Sequence, residues 1–270
     1  MPDPLLIAKG LNFSYSKKSV LEQLDLSLSA GEIVSLLGPN GSGKSTLLKL
    51  LLGHLHGKGQ ITWNDRPIAK WSRRELARLV AYLPQNPLID ESQSVAEVLA
   101  LGRAPYWGAF GLETESDAAT IRTVVDQLQI ERPLLNRRLD QLSGGQRQRI
   151  FVARCLIQQP KMLLLDEPTN NLDLRHQLQL LTLLRELAHG QNLAVLMSAH
   201  DINLAADFSD RLVLLQDGKK LADGPPADIL QADLLANLYG IPMELIPRDG
   251  RSPVVFPASQ KPRTPSIPAG

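Results

Sequence analysis

The sequence predicts an α/β fold: a parallel-sheet core with an N-terminal antiparallel β subdomain and a helical insertion subdomain. Three observations predict it. Compact apolar runs at Ile33–Leu37, Met162–Leu165 and Leu193–Met197 lack the alternation of a half-exposed strand, so they read as strands buried on both faces. A helical pattern from Leu174 to Ala188 separates the second run from the third, and strand, helix, strand in that order implies parallel pairing. The chain has 270 residues, 43% of them hydrophobic, which suffices for one full-sized core.

Each element follows from its local pattern. Every second side chain of Leu24-Asp25-Leu26-Ser27-Leu28-Ser29 is apolar, the signature of a half-exposed antiparallel strand. Ile33–Leu37 runs into glycines and then into Leu47-Leu48-x-Leu50-Leu51-Leu52, a buried strand feeding a helix. After Tyr82-Leu83 no comparable apolar run occurs up to about residue 140. Two capping-box patterns, Ser72-x-x-Glu75 and Ser94-x-x-Glu97, open short helices in this middle region. The helical insertion is placed at about residues 86–158. Gly190 is the expected stop of the helix that begins at Leu174. Arg211–Leu215 meets Asp217-Gly218, and Asp249-Gly250 precedes Val254-Val255-Phe256, both hairpin signals. Four prolines in residues 257–270 indicate a flexible tail after a domain spanning 1–256.

Composition excludes several classes. The 29 Lys and Arg nearly balance 28 Asp and Glu, too even for general nucleic-acid attraction. With 21% charged residues the chain is no disordered polyelectrolyte. The longest stretch free of Asp, Glu, Lys and Arg, Leu187–His200, contains Gly190, Gln191 and Asn192 and falls short of the roughly 20 residues of a membrane span. The opening Met1-Pro2-Asp3-Pro4-Leu5-Leu6-Ile7 lacks a secretory signal, so a cytoplasmic location is expected. The single Cys155, in a helical stretch, reads as a packed thiol.

Three motifs carry chemistry. Gly38-Pro39-Asn40-Gly41-Ser42-Gly43-Lys44-Ser45, followed by Thr46, fits the phosphate-binding loop and lies between buried strand and helix, as a P-loop NTPase core requires. Its glycines let backbone N–H groups turn toward phosphate oxygens, Lys44 reaches the β- and γ-phosphates, and the Ser45 hydroxyl ligates Mg²⁺. Alone, the loop also fits an ordinary Gly-rich turn. Met162-Leu163-Leu164-Leu165-Asp166-Glu167 ends a buried strand in two carboxylates. Asp166 is expected to face the Mg²⁺ held by Ser45, directly or through water, while strand alternation turns Glu167 elsewhere, toward the attacking water. An acidic strand end in solvent is the competing reading. Leu142-Ser143-Gly144-Gly145-Gln146 opens the helical run Arg147–Gln159 as a second anion site. One nucleotide occupies one phosphate loop, so a second such loop points to a site completed by another subunit.

In this order and spacing the three elements resemble the nucleotide-binding subunit of ABC transporters, over about Leu5–Pro257. The resemblance implies a head-to-tail dimer sandwiching two ATP, each site pairing loop 38–46 of one chain with Ser143 and Gly145 of the other. Gly144 and Gln146 belong to the same signature. Tyr15 matches the aromatic stacked on adenine. Gln85 matches the glutamine that meets Mg²⁺ and the water and moves with the transmembrane partner. Asp173 matches the loop crossing the dimer interface, and His200 the γ-phosphate switch. Singly, Tyr15 also fits a core aromatic and His200 an ordinary strand-end histidine. Asn170-Asn171 stand where Ser-Ala is commoner, and Ala199 where Thr is frequent. The implied cofactors are ATP and Mg²⁺, the metal falling to Ser45, Gln85 and Asp166, and catalysis to Glu167, His200, Gln85 and Lys44.

A subgroup resemblance extends this. Leu101-Gly102-Arg103-Ala104-Pro105-Tyr106, Gly108-Ala109-Phe110-Gly111, His200–Ala206, Gly240-Ile241-Pro242 and Pro253–Pro257 resemble the subunits that energise uptake of iron siderophores, haem and cobalamin. It implies separate transmembrane permease subunits, an extracytoplasmic solute-binding protein, and a peripheral place on the cytoplasmic face of the inner membrane, without nucleic acid. The alternatives are an importer of molybdate or zinc, a P-loop kinase or other soluble NTPase, and a regulatory ATPase that assembles on a cytosolic partner.

Overall fold

The alternating N-terminal residues pair into a long hairpin. β1 (Pro4–Tyr15) and β2 (Lys18–Ser29) are antiparallel, with Leu24, Leu26 and Leu28 buried and Asp25 and Ser27 exposed. This computed structural model describes residues 4–108, 113–170 and 172–258. Ala109, Phe110, Gly111, Asn171 and the tail from Ser259 on lie outside the described residues.

The wholly buried β3 (Ile33–Leu37) leads through the glycine loop into α1 (Lys44–Leu51). β4 (Lys58–Trp63) and β5 (Arg66–Pro67) extend the first sheet in the order β2-β1-β4-β5. α2 (Arg73–Leu79) starts at the Ser72/Glu75 capping box and precedes β6 (Val80–Leu83). Between β6 and β7 (Met162–Asp166) lie α3 (Val95–Ala100), α4 (Glu115–Gln127) and α5 (Gly144–Ile157), joined by 3₁₀ turns. The chain then alternates through α6 (Leu174–Gln191), β8 (Ala194–Ser198), α7 (Ile202–Phe208) and β9 (Arg211–Gln216). β10 (Lys219–Gly224), α8 (Pro226–Ile229), α9 (Ala232–Tyr239), β11 (Met243–Arg248) and β12 (Arg251–Pro257) complete it.

The second sheet has the order β10-β9-β3-β8-β7-β6, parallel except for β10 at its edge. Its two faces explain the unbroken apolar runs. Leu163 and Leu165 of β7 enter one cluster, with α5 and α6; Met162 and Leu164 enter another, with α1 and the N-terminal hairpin. A third cluster packs α7 and α9 against β9 and β12. Parallel strands end together at one sheet edge, so the C-terminal ends of β3, β6, β7 and β8 present their loops side by side.

Two local expectations change. α6 runs through Gly190 to Gln191 and stops at Asn192, whose φ of 56° makes it the left-handed cap. Asn tolerates that region, and Gly190 is simply part of the last turn. Capping boxes also open α4 (Thr114/Asp117) and α5 (Ser143/Gln146), where Asp or Gln replaces the expected Glu.

The insertion is held together by its own motif. Arg103 is buried and donates to Asp117 (2.7 Å), to the Ile157 carbonyl and to Gln159, with the Tyr106 ring 3.8 Å from its guanidinium carbon. Gly102 touches α5 so closely that a Cβ would lie 2.6 Å from the Arg154 carbonyl oxygen. Cys155 is buried in α5, and burial pushes its thiol up to about 11, an inert packed group. No described helix is long and apolar enough to cross a membrane.

Candidate active site

The loop from β3 to α1 needs glycine at two points. A Cβ on Gly38 would lie 2.1 Å from the Leu215 carbonyl oxygen. Gly43 caps α1 with φ 103°, and its Cβ would meet Leu21 at 2.7 Å. Between them the Ser42 hydroxyl is buried without a hydrogen-bond partner among the described residues. Such an orphan, beside a helix N-terminus, suits an anionic oxygen. Lys44 Nζ donates to the carbonyls of Gly38 (2.7 Å) and Pro39 (3.1 Å). Burial pushes this ammonium below its ordinary value, and the charges of Glu167 and Asp166 oppose the shift.

The end of β7 brings the acids to this loop. Ser45 Oγ donates to Asp166 Oδ1 at 3.1 Å, and Ser198 Oγ donates to the same oxygen at 2.7 Å. Asp166 is only 2% exposed, so its charge needs a cation or donors around it. Its carboxylate and the Ser45 hydroxyl are hard oxygen donors within hydrogen-bonding reach of each other, and they fit Mg²⁺. Glu167 diverges from Asp166 for a reason other than strand alternation. The strand ends at Asp166, and Glu167 takes a left-handed φ of 54°. Its backbone N–H donates to Ser198 Oγ (2.8 Å). Its carboxylate accepts from Gln85 Nε2 (2.6 Å) and Asn170 Nδ2, and lies 2.5 Å from His200 Nε2.

A cleft of about 980 Å³ collects these groups, lined by Tyr15, Pro39 through Thr46, Gln85, Glu167, Asn170 and His200. Tyr15 is 48% exposed, its ring edge-on to Phe13 at 4.8 Å, so it is a surface ring and not a core aromatic. Ser143, Gly144, Gly145, Gln146 and Asp173 do not line this cleft. Ser143 caps α5 at the surface, its hydroxyl accepting from Gln146 N at 3.2 Å. Asp173 caps α6 and accepts from His176 N at 2.9 Å, a bond that holds its carboxyl below the ordinary value.

Several lining or bonded residues escaped the motif reading. Asn170 registers in the sequence only as a departure, and Asp217-Gly218, also in the cleft wall, only as a turn. Ser198 has one visible signal, a polar residue closing an apolar run.

A family model described as ABC transporter matches residues 21–170, more than half of the sequence. The chain belongs to the ABC transporter family. It is similar to a hemin import ATP-binding protein, HmuV, of Thermobifida fusca (strain YX), 39% identical over 258 residues that cover 94% of this chain and 88% of that relative. Among solved structures it resembles one described as a metal-chelate type ABC transporter in an inward-facing conformation, with a TM-score of 0.82, 30% identity, and coverage of 95% of this chain and 98% of the other. It also resembles a dimeric ATP-binding cassette in a post-hydrolysis state with ADP and Pi, with a TM-score of 0.73, 26% identity, and coverage of 82% and 98%. This chain is thus an ABC transporter ATP-binding subunit.

Proposed function

We propose that this chain hydrolyses ATP as one half of a head-to-tail dimer and thereby drives a membrane importer of metal chelates, haem foremost. One observation carries the dimer: Ser143, Gly145 and Asp173 lie outside the cleft that gathers Lys44, Ser45, Gln85, Glu167 and His200. The signature residues then serve a second chain's nucleotide. The cargo rests on the relative named for hemin import and on the metal-chelate transporter of similar structure.

The chemistry follows from the side chains. The loop amides and the Ser42 hydroxyl hold the phosphates, and Lys44 exchanges its two loop carbonyls for phosphate oxygens. Tyr15 stacks on the base. Ser45 and Asp166, with the Gln85 carboxamide oxygen, would hold Mg²⁺, which when bound neutralises charge on the β- and γ-phosphate oxygens. Glu167 takes a proton from the water that attacks the γ-phosphorus in line with the departing ADP oxygen. To do so its carboxylate must release one of its present partners. Gln85 sits between β6 and the insertion, where a permease acts, and His200 turns to the γ-phosphate. The subunit then works at the cytoplasmic face of the inner membrane, on permease subunits fed by an extracytoplasmic binding protein.

The decisive experiment is reconstitution with the cognate permease in vesicles. ATP-dependent haem uptake is expected, abolished by Glu167→Gln. ATP hydrolysis by a monomer indifferent to Ser143→Arg, or purification with cytosolic partners alone, would overturn the reading.

A further inference from the structure

Resting on the hydrolytic reading above, we infer that Ser198 is a positioning residue, its one hydroxyl fixing the metal-side carboxylate of Asp166 relative to the water-side residue Glu167. The parallel register of β7 and β8 sets Asp166 opposite Ser198. Ser198 is fully buried. Its Oγ donates to Asp166 Oδ1 at 2.7 Å and accepts from Glu167 N at 2.8 Å. These roles are forced: an ionised carboxylate has no proton to give and a backbone N–H can only donate, so the single hydroxyl proton goes to Asp166 and a lone pair to Glu167.

The backbone explains the need. At Glu167 the left-handed φ of 54° takes the chain out of strand geometry, and a side-chain oxygen from the neighbouring strand satisfies the buried N–H. Asp166 Oδ1 also accepts from Ser45 Oγ, the hydroxyl on the first turn of α1. Ser198 therefore joins the phosphate-loop helix, the acidic strand end and the kinked Glu167 through bonds no longer than 3.1 Å. Without its hydroxyl the Glu167 N–H is left unpaired in the interior, and the Asp166 carboxylate loses one of the two donors it has among the described residues.

The test uses the full chain, free and with its permease. In the nucleotide-free, metal-free protein, hydrogen exchange at the Glu167 amide is expected to speed up about tenfold or more in Ser198→Ala, while the amides of Leu163 and Leu164 stay protected. In the complex, kcat for ATP is expected to fall about ten- to a hundredfold with KM little changed, as for other groups that orient metal ligands. Ser198→Thr, which keeps a hydroxyl, should recover both readouts at least in part. Should Ser198→Ala not fold, Ser198→Cys, close in volume and a weak donor, serves for the same comparison. An equally protected Glu167 amide, or an unchanged kcat in an active complex, overturns the role of Ser198 alone. An inactive wild-type complex overturns the hydrolytic reading, and the amide exchange still reports the Ser198–Glu167 bond.

Discussion

His200 Nε2 lies 2.5 Å from Glu167 Oε1, so the side chain expected at the γ-phosphate grips the carboxylate expected at the water. Gln85 and Asn170 donate to the other oxygen, so both oxygens of the Glu167 carboxylate are engaged. Glu167→Gln is expected to bind ATP yet hydrolyse it at least ~100-fold more slowly, the usual cost of losing a general base. A closed dimer should then accumulate in size-exclusion chromatography with ATP. Turnover at the parental rate would exclude Glu167 as the base.

In its proposed place at the γ-phosphate His200 would donate to charge that develops in the transition state, and His200→Ala removes that donor. Single-turnover hydrolysis should slow by about 10²–10³-fold, with ATP affinity nearly unchanged. A matching loss of affinity would show that His200 serves ground-state binding instead.

Ser143 is exposed at the start of α5 and does not line the chain's own cleft. Ser143→Arg should therefore leave ATP binding by one chain intact, because the phosphate loop is untouched, while dimer formation and hydrolysis disappear. Equilibrium binding of a fluorescent ATP analogue, set beside light scattering with ATP, separates the two effects.

The parallel core is legible because strands buried on both faces show as unbroken apolar runs, and the phosphate loop because its geometry demands glycines at Gly38 and Gly43. The contacts that orient the acids are not. Ser198 lies 31 residues from Glu167 and 32 from Asp166, and Gln85 lies 82 from Glu167. Those meetings depend on the register of β6, β7 and β8, which apolar patterning implies only as adjacency. The left-handed Glu167 is hidden for the same reason, since its compensating acceptor comes from another strand. The same limit applies to the insertion: Gly102-Arg103 is visible as a motif, but its contact with α5 is not.

Tyr15 lines the cleft, has nearly half its surface exposed to solvent, and leans edge-on against Phe13. Stacking on a base contributes about 1–3 kcal/mol, so Tyr15→Ala should weaken ATP binding by roughly 5- to 150-fold. Tyr15→Trp should retain it. Equal weakening in both variants would mean that the hydroxyl, not the ring face, matters.

The Arg103–Asp117 pair is the insertion's buried electrostatic joint, with side chains only 6% and 4% exposed. The Arg103 hydrogen bond, then the Thr114 backbone N–H, hold the Asp117 carboxyl below its ordinary value. Removing the cation strands a buried carboxylate, so Arg103→Met should cost about 3–5 kcal/mol at pH 7. The sign with pH follows from the lowered value. The pair's contribution is fully present above about pH 4, the unfolded value, and fades as pH falls through the lower folded one. In Arg103→Met the stranded carboxylate protonates more readily, so the stability gap to wild type should narrow toward pH 3.5. Urea unfolding at both pH values measures it. A gap of constant size would assign the loss to the missing guanidinium packing on Tyr106 and the Ile157 carbonyl, not to the charge.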